Sequence, residues 1–224
     1  MVSLANLAKY QGRYDKFLLL RQRYHLKWSS GNNSIQAMQR FFNPELSIEK
    51  LLEKIREMIR VLLAPMGTVL RHACLTGLRP SEAVESARLI INSGGGDMPR
   101  YYNPEHQSLE HFLFPDVFLR TTKKAFISFI TLDNLQPITL LGPKTPGYNA
   151  IRFACKRRRI NMDMRYCRKL FASWLRKEGI APEIVDLLQG RVSQSILTRH
   201  YLALSQNMKD DVLKALEKLQ MQLQ

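Results

Sequence analysis

Thr76-Gly77-Leu78-Arg79-Pro80-Ser81-Glu82 is a junction between two helical segments. Residues 69–75 continue a helical apolar pattern, Gly77 ends it, and Ser81 opens a further helix to Ile91. Arg79 therefore stands just before a helix N-terminus. Such an end presents free backbone N–H groups and the positive pole of the helix dipole, so an anion is favoured there. A guanidinium fork beside it makes phosphate the natural guest, and Glu82 is close enough to orient the fork. Alone, the same residues also describe a capped helix with a surface arginine. The reading therefore depends on partners elsewhere in the chain.

N-terminal to the junction, Ser47 with Glu49 behind it reads as a capping box opening a strong helix. Its apolar stripe is Ile48, Leu51, Leu52, Ile55, Ile59, Leu62 and Leu63, and Pro65 and Gly67 predict a bend after it. Residues 4–28 read as one helix, followed by a break at 29–33 and a short helix over 34–42. C-terminal to the junction, the Gly-rich stretch 92–99 reads as a loop. Residues 111–119 and 125–131 read as the two strands of a hairpin, with 120–124 as its turn. A loop at 140–146 and helices over 149–159, 164–178 and 183–188 follow, then a helical or turn-like stretch at 193–204. The amphipathic segment 209–223 carries Val212, Leu216, Leu219 and Leu223 on one side. The fold class expected is mainly α with a small antiparallel β-sheet.

Charge narrows the partners. Among 224 residues, 34 Lys+Arg face 19 Asp+Glu, a net charge of +15, and a surface this basic attracts polyanions, nucleic acid first. Cys74, Cys155 and Cys167 are odd in number and widely spaced, which supports neither a disulfide framework nor a zinc knuckle. The N-terminal stretch is too polar for a secretory signal, and no apolar run is long enough to cross a bilayer. No aromatic stacking motif of the RNA-binding kind is evident.

Two further segments carry chemistry. Arg165 and Arg168 are one turn apart on a helix whose other side holds Leu170, Phe171, Trp174 and Leu175. Two arginines on one anchored face repel unless an anion lies between them. Further on, Leu187-Leu188-Gln189-Gly190-Arg191 precedes Thr198-Arg199-His200-Tyr201. A tyrosine is a nucleophile only where cations lower the cost of its phenolate; otherwise it is a packed aromatic with a satisfied hydroxyl. His200 points about 100° away from Tyr201 on a helix, which makes it peripheral.

Taken in order over residues 45–205, these segments resemble the tyrosine recombinase (integrase) family. That family has an arginine in a TGLR-S-E-like box, a hairpin lysine, a His-x-x-Arg box, a Leu-Leu-Gly-His box and a tyrosine shortly after. Here Arg165 and Arg191 stand where the family usually has histidine, which resembles integrases of archaeal viruses and plasmids. The resemblance implies the recombinase catalytic-domain fold and a site of Tyr201, Arg79, Arg165, Arg168, Arg191 and a lysine, either Lys123 or Lys124, with Glu82 in support. It implies cleavage and rejoining of double-stranded DNA attachment sites through a 3′-phosphotyrosine, with no cofactor or metal, by a tetramer on the DNA. Type IB topoisomerase-like relaxation and an inactive DNA-binding relative are the alternatives. The expected organisation is an N-terminal helical segment over 1–44, as a linker or the remnant of a DNA-clamping domain. A catalytic domain over 45–206 follows, then a helix over 207–224 that docks on a neighbouring subunit. The chain is expected to be either a fragment of a longer protein or a shortened member, acting on DNA in the host cytoplasm and not at a membrane.

Overall fold

The computed structural model describes residues 2–26, 47–93, 101–120, 123–142, 145–160, 162–191 and 206–224. The chain divides into two compact units, 1–46 and 47–224. The expected helix over 34–42, the Gly-rich residues from 94 on, the stretch 193–204 and Tyr201 lie outside the described residues.

In the first unit, the single helix expected over 4–28 is two: α1 (Val2–Tyr10) and α2 (Tyr14–Arg23). Gly12, at φ +65°, takes the left-handed position that ends α1. Arg13 N–H reaches the Ala8 carbonyl and Gly12 N–H the Lys9 carbonyl, the paired bonds of a Schellman end. A periodicity count passes over such a glycine because the apolar spacing continues beyond it.

The second unit opens with α3 (Ile48–Val61), α4 (Ala64–Thr76) and α5 (Pro80–Ser93). Ser47 caps α3 by accepting the Lys50 N–H at 3.3 Å. Glu49 is one residue short of the reciprocal capping-box position, and its carboxylate instead meets Lys177 at 3.0 Å. The bend falls at Leu62–Leu63, and Pro65 starts α4 rather than breaking a helix, its missing N–H costing nothing in the first turn.

The sheet is the largest correction. Strands β1 (Tyr102–Asn103), β2 (Ser108–Glu110) and a later strand form one antiparallel sheet. Residues 111–118 are not a strand. His111–Leu113 is a 3₁₀ turn and Pro115–Phe118 a helical turn, α6, because Pro115 presets a helical φ at its first position. The hairpin shrinks to β3 (Leu119–Arg120) paired with β4 (Lys123–Lys124). The remaining strand, β5 (Ile127–Phe129), pairs with β2 and not with β3; Leu109 lies opposite Ser128.

A helix not foreseen, α7 (Leu132–Thr139), follows the sheet. Then come α8 (Tyr148–Arg157), α9 (Arg165–Lys177), α10 (Pro182–Leu188) and α11 (Gln206–Gln222). α9 is the central helix. Cys167, Leu170, Phe171, Trp174 and Leu175 form its buried stripe at helical spacing, packed against α3, α4 and α11. α11 returns Val212, Leu216, Leu219 and Leu223 to the core of this same unit, each nearly fully buried. The Trp174 indole N–H donates to the Ala215 carbonyl at 2.8 Å, and Arg71 donates to the Leu223 carbonyl at 3.1 Å. Among the described residues no helix is long and apolar enough to cross a membrane.

Beneath the α4–α5 junction lies a buried polar cluster of His72, Ser86, Tyr101, His111 and Ser128. Burial pushes both imidazoles down to about 3, with His72 adding to the effect on His111, so each ring is neutral at ordinary pH.

Candidate active site

The junction is built by two close approaches. Gly77 ends α4 at φ +65°, and a Cβ there would lie 2.4 Å from the Phe171 ring of α9. Only glycine meets both demands. Arg79 then takes the N-cap position of α5. Its N–H donates to Glu82 Oε2 at 3.1 Å, the return half of a capping box, and its guanidinium meets Glu82 Oε1 at 2.8 Å. Glu82 is 2% exposed and Arg79 20%, so a buried carboxylate fixes a fork that still reaches solvent.

Arg168 projects from α9 into the same junction. One guanidinium nitrogen donates to the Gly77 carbonyl at 2.7 Å and another to the Gln189 carbonyl. Gln189 answers by donating its amide to the Arg168 carbonyl at 2.8 Å. Sequence reading gave Gln189 no role, yet it is 1% exposed and locks α9 to the end of α10. Its position just before a helix-ending glycine was the available signal. Burial, reinforced by the charges of Arg79 and Arg191, brings the Arg168 guanidinium down to about 10, against the opposing pull of Glu82 and Asp186. It stays protonated at neutral pH.

Gly190 ends α10 at φ +67°, and the Schellman bonds from Gly190 to Leu187 and from Arg191 to Asp186 turn Arg191 outward. Arg191 is exposed and meets Asp186 loosely at 3.5 Å. A Cβ on Gly190 would lie 1.9 Å from the Lys124 carbonyl oxygen. The hairpin backbone at β4 therefore rests directly on this glycine. Lys124 itself is exposed.

The structure thus brings together Arg79, Glu82, Arg168 and Arg191, with the Lys124 backbone against the same seam. It does not bring in Arg165 as expected. That side chain is 74% exposed, and its fork closes on Asp163, with Nε 2.8 Å from Oδ2. Asp163 also accepts the Arg165 N–H at 2.8 Å, which satisfies the first free donor of α9 from just before its N-cap, Met164. Burial works to raise the Asp163 carboxyl, but Arg165's hydrogen bonds and charge outweigh it and hold the group below its ordinary value. Asp163 was passed over although an aspartate two residues before a helical arginine is a capping signal. Lys123 lies in β4 and its side chain is outside the described residues, as is Tyr201.

The Gly190 contact makes its own test. Gly190→Ala adds a methyl group against rigid backbone and a positive φ, so a loss on the order of 1–3 kcal/mol is expected. Gly179→Ala is the control, since its φ is +88° but nothing lies within 4 Å of its Cβ position. Thermal melts should show Gly190→Ala well below Gly179→Ala. Equal melting temperatures would mean the hairpin does not rest on Gly190.

The described geometry is a helical unit in which arginines from separate segments converge on a glycine-built junction, an arrangement with the chemistry to hold an anion. A closer likeness comes from residues 116–218, which match the family described as Archaeal phage integrase. The chain resembles the integrases of archaeal viruses, and the match points to DNA integration and DNA binding. The matched stretch holds Lys123, Lys124, Arg165, Arg168, Arg191 and Tyr201, whereas Arg79 and Glu82 lie outside it. No curated protein and no solved structure matches the chain.

Proposed function

We propose that this protein is a site-specific DNA recombinase of the integrase type, with a tyrosine recombinase catalytic domain over residues 45–206, that cleaves and rejoins DNA through a 3′-phosphotyrosine at Tyr201. The observation that carries the reading is the convergence of arginines from three separate segments: Arg79 at the N-cap of α5, Arg168 reaching from α9 to the Gly77 and Gln189 carbonyls, and Arg191 just after the glycine that ends α10. Such a cluster is relieved by a polyanion.

The Tyr201 oxygen attacks the phosphorus, the bond from phosphorus to the 5′-oxygen breaks, and the 5′-hydroxyl leaves. The covalent bond retains the phosphodiester energy, so a second 5′-hydroxyl reverses the step without nucleotide or metal. The pentacoordinate transition state gathers negative charge on its nonbridging oxygens, and fixed cations stabilise it more than they stabilise the ground state. Arg79 and Arg168 take that role, with Arg191 and, once freed from Asp163, Arg165 adding charge. The N-terminal segment 1–44 serves as a linker or reduced clamp, and assembly is a tetramer on DNA attachment sites in the host cytoplasm. A nicked duplex carrying a candidate attachment site tests the whole reading. Cleavage releases the short strand, and mass spectrometry should find the stranded adduct on Tyr201. No adduct at all, or one on another residue, sinks it.

Two expectations follow for the cations. Arg79→Ala and Arg168→Ala should each slow single-turnover cleavage by a factor on the order of 10²–10³, the usual effect of removing a transition-state donor. DNA affinity should fall much less, because many other phosphates are still held. Filter binding beside quenched-flow cleavage separates the two; equal losses would make these arginines DNA grips only.

Lys123 or Lys124 is the proton donor to the leaving 5′-oxygen, since lysine gives up a proton where arginine does not. The variant lacking the donor should be rescued by a 5′-phosphorothiolate substrate, whose sulfur leaves unprotonated. Arginine variants should not be rescued. Full activity in both Lys123→Ala and Lys124→Ala on ordinary DNA would place the acid elsewhere.

A further inference from the structure

Gly77 is the weak link of the candidate site. It joins α4 to the turn bearing Arg79, and glycine backbone has the widest conformational freedom of any residue. Thr76 and its neighbours are also the last carbonyls of α4, which lack intrahelical partners. Something must hold this peptide in place. On one side Arg168 grips the Gly77 carbonyl. On the other, the Ser128 hydroxyl donates to the Thr76 carbonyl at 3.3 Å.

Ser128 is the end of a longer series. His111 Nε2 lies 2.8 Å from Ser128 Oγ, and His111 Nδ1 lies 2.9 Å from the Tyr101 hydroxyl. The Tyr101 and Ser86 hydroxyls share a bond of 2.8 Å, and Ser86 Oγ lies 2.9 Å from His72 Nε2. Thr76 closes the ring by bonding its own hydroxyl to the His72 carbonyl at 2.8 Å. All six residues are at most 2% exposed.

Counting protons gives the series a direction. A neutral imidazole has one donor and one acceptor, and each hydroxyl has one proton. Ser128 spends its proton on the Thr76 carbonyl, so it accepts from His111 Nε2–H. His111 Nδ1 is then an acceptor and takes the Tyr101 proton. Ser86 gives its proton to the Tyr101 oxygen and accepts from His72 Nε2–H. This leaves His72 Nδ1, which has no partner, as a bare lone pair rather than a stranded N–H. If Tyr101 donated to Ser86 instead, His111 would have to carry both ring protons, and its complete burial opposes that. Every bond thus runs one way, from His72 to the Thr76 carbonyl, and aligned hydrogen bonds polarise one another.

We infer that Ser128, backed by His111, Tyr101, Ser86 and His72, is a positioning residue that fixes the Thr76–Gly77 peptide and through it the aim of Arg79 and Arg168. The consequence for catalysis rests on the recombinase reading above; the consequence for geometry does not. The sheet that carries Ser128 and the helices that carry the arginines are thereby one rigid body at the site.

Ser128→Ala removes one oxygen and cuts the series from Thr76. Ser128→Thr keeps the hydroxyl. Nitrogen-15 NMR of the arginine-labelled protein reads the geometry without DNA. Arg168 held by two carbonyls should show separate, slowly exchanging guanidinium signals, identified by their loss in Arg168→Lys. Those signals should collapse in Ser128→Ala, return in Ser128→Thr, and weaken in Tyr101→Phe. Single-turnover cleavage should fall about tenfold to a hundredfold in Ser128→Ala, as for small misplacements of reacting groups, with DNA affinity within about twofold. Signals unchanged in both Ser128→Ala and Tyr101→Phe overturn the inference. Signals that collapse while even the parent protein forms no DNA adduct uphold the positioning role and overturn the recombinase reading instead.

Discussion

Tyr201→Phe is expected to abolish covalent protein–DNA adducts and to leave DNA affinity within about twofold, because the grip on phosphates comes from the many lysines and arginines. The substitution removes one oxygen and nothing else of size. A free phenol has a pKa of about 10, so attack at neutral pH requires cations that favour the phenolate. The boxes around it supply arginines and no histidine, and arginine cannot take up a proton. On the proposed mechanism the phenolic proton would leave to water under the field of Arg79, Arg168 and Arg191. A second expectation separates this from a base-assisted attack: His200→Ala should retain adduct formation within a few-fold, the outcome the sequence reading implies, because neighbours on a helix point about 100° apart. Denaturing gels of the nicked-duplex reaction measure both. Adducts surviving in Tyr201→Phe would remove the nucleophile from the proposal, and their loss in His200→Ala would give the histidine a role.

Legibility in the sequence followed physical locality. The α9 stripe and the apolar side of α11 repeat at helical spacing, and burial at Cys167, Leu170, Trp174, Val212 and Leu216 agrees with that spacing. Gly77 and Gly190 were readable as helix ends because a left-handed position needs a residue without Cβ. Their second duty was not readable. The closeness of Gly77 to Phe171, and of Gly190 to Lys124, joins residues far apart in the chain. The hairpin was misplaced because aromatic and β-branched runs score as strand wherever they fall. At 111–118 the local demand of Pro115 and the pull of Phe118 and His111 into one core made turns of the same residues. Arg165 and Arg168 share a face by periodicity, but a competing carboxylate at Asp163 decides where Arg165 spends its hydrogen bonds. The polar ring under Thr76 could not be read at all, since it assembles residues from two helices, the 3₁₀ turn at His111, the residue before β1 and strand β5.

Deleting residues 209–224 is expected to cost this unit most or all of its stability. The sequence led to the expectation that the stripe of Val212, Leu216, Leu219 and Leu223 docks on a neighbouring subunit. In the single chain the same stripe fills its own unit's core, over Trp174. Four buried aliphatic side chains are worth on the order of 10 kcal/mol gross, an upper figure because unfolded chains already hide some apolar surface. Part is returned as the freed segment regains conformational entropy. The remainder is comparable with the whole stability of a domain, about 5–15 kcal/mol. The truncated chain should therefore melt far below the parent and expose Trp174, seen as a red-shifted fluorescence. Docking on a neighbour remains our proposal for the assembled state, and the cis packing constrains its form. A helix that leaves its socket must be replaced, so subunits would exchange identical helices and conserve buried surface, as in a domain swap. Adding a peptide of residues 206–224 should then restore folding to the truncated chain in trans. A truncated chain that stays cooperatively folded without the peptide would show that the socket does not need the helix. Full-length chains that assemble on DNA while a disulfide engineered between α11 and α9 holds the helix in cis would exclude exchange.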